Sequence, residues 1–198
     1  TPHAKQKAFH ALGAMVTERL FLAGNRVGKT MAGAVEMTFH LTGQYPAWWT
    51  GLRFDGPIQS WAASVTKEAT RDILQMTYLG KRGVQKGTLS ASQVIGRTYR
   101  AGVRGAVDEV QVKHVNGGLS VLGFKSYDQG RETFQGTARH LIHLDEEPEV
   151  DIYEECLLRT ATLNGHMMLT MTPLKGITPM VRHFTEAVRG DGKGIVQA

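Results

Sequence analysis

Short apolar runs alternate with longer amphipathic segments along most of this chain. Four of these runs are bounded by glycine, proline or polar residues and predict buried strands: Leu20–Ala23, Ile58–Ser64, Leu141–Leu144 and Met167–Met171. Segments with helical spacing lie around them, at Gln6–Gly13, Lys29–Leu41, Thr66–Met76, Asp151–Ala161 and Thr178–Val188. Strands that alternate with helices indicate a three-layer α/β fold, in which helices cover both faces of a mostly parallel sheet.

A second pattern adds an antiparallel element to this sheet. The apolar segments Val110–Val115 and Leu119–Phe124 flank Asn116-Gly117-Gly118. Asn-Gly between two alternating runs is a strong signal for a tight hairpin, because both residues adopt left-handed backbone conformations easily. We therefore expect a hairpin attached to the parallel strands.

A glycine-rich loop follows the first predicted strand and opens the next helix. Its residues are Gly24-Asn25-Arg26-Val27-Gly28-Lys29-Thr30. The end of this run matches the phosphate-binding pattern G-x-x-x-x-G-K-[ST], although Ala23 stands at the leading glycine position. Backbone N–H groups of such a loop surround a phosphate, the lysine reaches the β and γ phosphates, and the threonine hydroxyl binds Mg²⁺. The strand–loop–helix context predicts a nucleotide site.

Three carboxylates follow the strand Leu141–Leu144. We expect Asp145 to complete the Mg²⁺ shell with Thr30, and Glu146 to orient or deprotonate an attacking water. Glu147 competes for the base role, but alternation along a strand would turn it to the opposite face. His143, within the strand, is interpreted as a packed core histidine in preference to a metal ligand.

Two further segments fit a nucleotide site. Gln6 precedes the loop and could pair with N6 and N7 of adenine, which would select ATP. Thr170 and Thr172 end the strand Met167–Met171 and could place a hydroxyl near the γ-phosphate to sense hydrolysis. An ordinary threonine-rich strand end is the alternative.

An arginine of one subunit could act on the nucleotide of its neighbour. Arg131 follows a Gln-Gly turn just before the acidic strand, and a guanidinium stabilises the charge of phosphoryl transfer well. Arg139 is the second candidate. The alternative is that Arg131 makes an ordinary surface ion pair.

Composition restricts the remaining classes of function. The 198 residues contain one cysteine, which excludes a disulfide framework, and the apolar runs are all too short to span a membrane. The formal net charge is +5, and no acidic residue lies between Ile73 and Val107. That Gly- and Ser-rich stretch carries six positive charges: Lys81, Arg82, Lys86, Arg97, Arg100 and Arg104. It predicts either a flexible basic excursion that contacts DNA phosphates or a solvated loop.

Taken in order, these motifs resemble those of the large terminase subunit of tailed double-stranded DNA bacteriophages, in its N-terminal ATPase domain. The resemblance covers about Pro2 to Phe184 and implies a P-loop fold of the additional-strand, catalytic-glutamate (ASCE) type. It implies Mg²⁺-dependent ATP hydrolysis that drives double-stranded DNA into procapsids. It also implies that Arg26 grips the γ-phosphate, although many family members carry this arginine one place earlier, where Asn25 stands here.

The resemblance extends to partners and location. It implies a homo-oligomeric, pentameric ring on the portal protein, with a small terminase subunit as a separate partner. The isolated domain is expected to be monomeric, without membrane contact, in the cytoplasm of the infected host and absent from the mature virion. We assign residues 1–190 to the ATPase domain and 191–198 to the start of a linker, and expect no nuclease activity from this chain.

Other functions remain open at this level. The motifs would also suit another DNA-stimulated P-loop ATPase or translocase, or a small-molecule kinase. A non-enzymatic alternative is a module that binds nucleotide only to assemble a ring.

Overall fold

A computed structural model describes residues 2–81, 83–103, 105–174, 176–187 and 191–198. The helices are α1 (Ala4–Leu12), α2 (Lys29–Thr42), α3 (Lys67–Ala69), α4 (Met76–Leu79), α5 (Val150–Ala161) and α6 (Pro179–Thr185). The strands are β1 (Glu18–Leu22), β2 (Gln59–Ser64), β3 (Val94–Tyr99), β4 (Val107–Lys113), β5 (Leu119–Ser126), β6 (Leu141–Asp145), β7 (His166–Met171) and β8 (Lys193–Gln197).

All eight strands form one sheet in the order β3-β4-β5-β2-β6-β7-β1-β8. In this spatial order, every neighbouring pair from β5 through β2, β6, β7 and β1 to β8 is parallel. β4 is antiparallel to both of its neighbours, β3 and β5. The predicted mostly parallel sheet and the β4–β5 hairpin are thus confirmed. β7 lies between β1 and β6, so an additional strand separates the strand before the glycine loop from the strand before the carboxylates.

Helices cover both faces of the sheet, as the apolar pattern predicts. On one face, Phe9 of α1, Met37 of α2 and Tyr78 of α4 share a buried cluster with the sheet. On the other face, Tyr153 of α5 and Phe184 of α6 pack against a second buried cluster. The sheet is therefore the middle of three layers.

The segment predicted as one helix from Thr66 is continuous but irregular. The Thr66 hydroxyl accepts a hydrogen bond from the Ala69 N–H, as an N-cap does. Between α3 and α4 the segment Thr70–Gln75 is a π-helix. The Gln75 side chain lies alongside β4, with its amide donating to the Val107 carbonyl at 2.7 Å and accepting from the Val107 N–H at 3.1 Å. The helical segment is therefore fastened to the first residue of β4.

Two predictions fail at the edges of the sheet. Val94–Tyr99, inside the stretch interpreted as a basic excursion, forms the edge strand β3, most of whose residues are exposed. Residues 193–197, assigned to a linker, form β8 and pair in parallel with β1. Edge strands have one paired side and little buried surface, so their apolar pattern is weak.

Candidate nucleotide-binding site

The glycine-rich loop joins β1 to α2 through two left-handed residues. Arg26 has φ 63° and Gly28 has φ 80°, a backbone region that favours glycine. Gly28 is the residue just before α2, so the loop N–H groups lie where the helix dipole is positive. The buried Lys29 ammonium donates to the Gly24 carbonyl at 2.9 Å. The lysine thus lies folded onto the loop that a phosphate would enter.

Gln6 contacts this loop directly. Its side-chain oxygen accepts a hydrogen bond from the His3 N–H, and its side-chain nitrogen donates to the Gly28 carbonyl, both at 3.1 Å. Both ends of the amide are therefore engaged by protein groups, and its contact with adenine stays a prediction. What the structure adds is a role in holding the last loop glycine.

Asp145, at the end of β6, is the centre of the site. Its Oδ1 accepts hydrogen bonds from the Thr30 and Thr170 hydroxyls, each at 2.7 Å, and the residue is 4% exposed. Burial raises the pKa of this carboxyl to about 6, while the two hydroxyls oppose the shift. Residues from three different elements therefore converge on one oxygen.

The oxygens of Thr30 and Asp145 also fit a divalent cation. Hydroxyl and carboxylate oxygens are the hard ligands that Mg²⁺ takes, and it usually needs only one or two carboxylates together with phosphate oxygens. A cation beside Asp145 would also favour its ionised form over the protonated form that burial favours.

Glu146 is placed by a turn. Its φ is 65°, and its carboxylate accepts from the Thr172 N–H at 3.0 Å. The argument that strand alternation separates Glu146 from Glu147 is wrong, because β6 ends at Asp145. The left-handed residue Glu146 turns the chain instead, and both glutamates are half-buried.

Thr172 connects this glutamate to the glycine loop. Its hydroxyl lies 3.2 Å from the Asn25 side-chain oxygen and 3.3 Å from a Glu146 carboxylate oxygen. A hydroxyl has one proton, so it can serve only one of these acceptors at a time. Thr172 therefore lies between two alternative partners, one on the glycine loop and one after β6.

Sequence reasoning missed the supporting roles of three residues: Tyr127, His143 and Tyr78. The Tyr127 hydroxyl lies 3.2 Å from the Asp145 carbonyl oxygen and 3.0 Å from that of Glu146, and it can donate to either. His143 is fully buried, as expected for a core histidine, but it also contacts the Thr170 hydroxyl at 2.8 Å and the Tyr78 hydroxyl at 2.8 Å. Burial lowers the pKa of His143 to about 4, so the ring is neutral. The sequence identified His143 as a core residue of the acidic-motif strand, but no sequence signal indicated its contacts with Thr170 and Tyr78.

The three arginines proposed to act on nucleotide differ in their surroundings. Arg26 is exposed on the loop. Arg131 is 45% exposed and donates to the Glu155 carboxylate of α5 at 2.9 Å, which is the ion pair that the sequence left as its alternative role. The Arg139 guanidinium stacks over Trp61, 4.2 Å from the ring centroid. Within one chain, neither Arg131 nor Arg139 is free of protein contacts.

The basic stretch divides into exposed and paired cations. Lys81 and Arg97 line a groove of about 390 Å³ beside the π-helix, and Lys86 is exposed. Arg100 pairs with Asp108 at 2.8 Å, and its contact with DNA phosphates stays a prediction. Arg82 and Arg104 lie outside the described residues. In the part of the chain that the structure describes, no helix has the length and apolar character needed to cross a bilayer.

Fold and site together define a P-loop nucleotide-binding domain of the ASCE type. Residues 20–193 match the family "Terminase large subunit, T4likevirus-type, N-terminal". The chain is 34% identical over 204 residues to the terminase large subunit of Salmonella phage P22, an alignment that covers 92% of this chain and 41% of that protein. The chain therefore belongs to the terminase large subunit family, and it spans about two fifths of that relative's length.

Solved structures share the fold. The large terminase ATPase domain of Thermus phage P74-26 superposes with a TM-score of 0.66 at 16% identity, over 100% of this chain and 81% of that one. The large terminase of a thermophilic bacteriophage, in complex with ADP, gives 0.64 at 13% identity, over 98% and 44%. Both confirm the three-layer architecture.

Proposed function

We propose that this chain is the ATPase domain of a DNA-packaging motor, and that it hydrolyses ATP to move double-stranded DNA into procapsids. The observation that carries the proposal is the convergence of Thr30 and Thr170 on Asp145, with Glu146 adjacent to it. A phosphate-binding loop alone would suit many nucleotide-binding proteins. A glutamate directly after the buried aspartate adds a candidate base for an attacking water.

The chain's own groups supply the steps of hydrolysis in this proposal. Lys29 leaves the Gly24 carbonyl and contacts the β and γ phosphates. Thr30 and Asp145 would hold Mg²⁺, which when bound would neutralise charge on the phosphate oxygens. Glu146 orients the attacking water and accepts its proton. Thr172 exchanges its hydrogen bond between Glu146 and Asn25 as the γ-phosphate leaves.

An apolar cavity beside the loop suits the adenine base. It has a volume of about 440 Å³ and is lined by Gln6, His10 and apolar side chains, among them Met31, Val35 and Trp48. Ligand pockets commonly combine such walls with a few polar groups that fix orientation. Gln6 would exchange one of its present hydrogen bonds for adenine, which would couple base recognition to the position of Gly28.

The arginines are assigned to γ-phosphate contact and to cooperation between subunits. Arg26 contacts the γ-phosphate from the loop. Arg131 exchanges its Glu155 partner for the nucleotide of a neighbouring subunit in a pentameric ring. The exchange is feasible because the Arg131 side chain is 45% exposed and the buried Glu155 carboxylate keeps Arg159 as a second partner at 3.0 Å.

Partners follow from family membership and charge. Lys81, Lys86 and Arg97 contact the phosphates of double-stranded DNA from the exposed edge beside β3. The portal protein and a small terminase subunit are the protein partners. The motor works in the host cytoplasm and is not a component of the mature virion.

The decisive experiment is steady-state phosphate release by this chain and by the full-length protein, with and without double-stranded DNA. Lys29→Ala should abolish release and leave the circular dichroism spectrum unchanged. Lys113→Ala, which removes an exposed lysine from β4, is the matched control and should behave as wild type.

Each alternative has its own result. Normal hydrolysis by folded Lys29→Ala protein would contradict the site assignment. Tight ATP binding without phosphate release, in the full-length protein and with DNA present, would instead identify a ring-assembly module.

A further inference from the structure

A chain of buried hydrogen bonds extends from Asp145 away from the nucleotide loop. Asp145 accepts from the Thr170 hydroxyl at 2.7 Å, and Thr170 Oγ1 lies 2.8 Å from His143 Nε2. His143 Nδ1 in turn lies 2.8 Å from the Tyr78 hydroxyl. His143, Thr170 and Tyr78 are each 0% exposed, so water does not compete for these bonds. We refer to Tyr78, His143 and Thr170 as the relay.

The bonds of the relay have one consistent direction. An ionised carboxylate only accepts, so the single Thr170 proton goes to Asp145. The Thr170 oxygen must then accept from His143, which places the imidazole proton on Nε2. Nδ1 is left as the acceptor for the Tyr78 proton. Each donor is used once, and the tautomer of His143 is fixed by its partners.

Helix α2 leaves room for the imidazole by carrying a glycine. A Cβ atom at Gly33 would lie 2.4 Å from His143 Nε2, far inside van der Waals contact. Glycine in the middle of a helix destabilises the helix relative to alanine. The absence of a side chain at Gly33 therefore allows the His143 imidazole to pack directly against α2.

Tyr78 belongs to α4, which continues the π-helix Thr70–Gln75. Gln75, at the end of that π-helix, holds the backbone of Val107 on β4. The relay thus joins Asp145 to a helical segment that is itself fixed to the antiparallel part of the sheet.

We propose that His143 and Tyr78 are positioning residues for the Asp145–Thr170 pair. His143 holds the Thr170 hydroxyl so that its proton stays on Asp145, and Tyr78 holds His143 in the tautomer that can do so. Together they fix the orientation of the carboxylate that faces Thr30. The inference rests on the proposed function, since the pair matters for turnover only in an ATPase.

The first test is Tyr78→Phe, which removes one hydroxyl and keeps the ring. Tyr45→Phe is the matched control, because Tyr45 also bonds a buried histidine, His40 Nδ1 at 2.9 Å, in a separate cluster. Loss of an outer partner bonded directly to a metal ligand typically costs about 10–100-fold, and Tyr78 is two residues further from Asp145 along the relay than Thr170 is. We expect Tyr78→Phe to lower kcat by about tenfold, at the low end of that range, and to raise the Mn²⁺ concentration needed for half-maximal activity. KM for ATP should stay unchanged, and Tyr45→Phe should match wild type.

Two variants of His143 distinguish the contribution of its Nε2 atom from that of its Nδ1 atom. In His143→Gln the amide nitrogen takes the place of Nε2 and can still donate to Thr170. In His143→Asn the amide reaches only the Nδ1 position, next to Tyr78. The proposal requires His143→Gln to retain more activity than His143→Asn, although both conserve polarity.

Nitrogen-15 NMR of histidine-labelled protein reads the tautomer without any turnover. An Nε2–H signal for His143 is expected, and an Nδ1–H signal would overturn the relay even in a protein that hydrolyses no ATP. The relay would also be overturned if the Tyr78→Phe and Tyr45→Phe proteins had the same kcat and the same Mn²⁺ dependence. If the wild type proves inactive, the proposed function fails, and the NMR measurement still decides the relay.

Discussion

Glu146→Gln separates the chemical role of this residue from its structural role. The substitution preserves size and shape and removes the proton acceptor. A positioned general base contributes about 10²–10⁴-fold, which corresponds to roughly 2.7–5.5 kcal/mol of barrier. We therefore expect ATP to bind with nearly unchanged affinity and hydrolysis to fall by about that factor.

The effect on folding should be much smaller. The Glu146 carboxylate accepts from the Thr172 N–H at 3.0 Å and lies 3.3 Å from the Thr172 hydroxyl. A hydrogen bond to a charged group contributes about 1.5–3 kcal/mol and a neutral one about 0.5–1.5, and glutamine can keep the backbone bond. Because Glu146 is half-buried, we expect a loss of about 1 kcal/mol, which lowers Tm by about 2–4 °C in a chain of this size.

Phosphate release, nucleotide binding and thermal unfolding should be measured on the same preparations, with Glu147→Gln as the control. Glu147 carries the same carboxylate one residue further on, so its amide variant should keep near-wild-type hydrolysis. The assignment of Glu146 would be refuted if Glu147→Gln lost hydrolysis and Glu146→Gln did not. A drop in Tm large enough to account for lost activity would also refute it.

Three further predictions concern other parts of the molecule. Glu36→Gln should reduce the unfolding free energy in urea by about 3–5 kcal/mol, because it leaves the buried Arg19 without its charged partner; a change below about 1 kcal/mol would contradict this. Burial lowers the pKa of His166 to about 4 from 6.5, so its contribution to stability is present above pH 6.5 and is lost as pH falls through 4. His166→Asn should therefore move the acid-unfolding midpoint to lower pH in circular dichroism titrations, and an unchanged midpoint would contradict the argument. Mixing Arg131→Ala subunits with Glu146→Gln subunits should restore some ATPase activity, and an Arg131→Ala protein as active as wild type, without rescue in mixed rings, would remove Arg131 from the mechanism.

The central strands and the glycine loop were predictable because their signals are local. β6 and β7 are short continuous apolar runs, and the polar residues that follow parallel strands meet at one edge of the sheet. Asp145 and Thr170 therefore come together by topology alone. Thr30 joins them because α2, which follows β1, packs across both β7 and β6.

The parts that were not predictable depend on tertiary contacts. Tyr78 and His143 are 65 residues apart, and each looks like an ordinary core residue in its own segment. The left-handed backbone at Glu146 has no sequence signal, since that conformation is uncommon for residues other than glycine, asparagine and aspartate. The edge strand β3 is largely exposed, so its sequence lacks the alternation of apolar and polar residues that would predict a strand.

The close approach of Gly33 to His143 has an evolutionary consequence. A larger residue at position 33 would improve the helix but would displace the imidazole, since its Cβ would come within 2.4 Å of Nε2. A smaller residue at position 143 would remove that conflict and would leave a void opposite glycine. The two positions are therefore expected to change together among descendants of this sequence, so that single replacements at either site are rarely fixed.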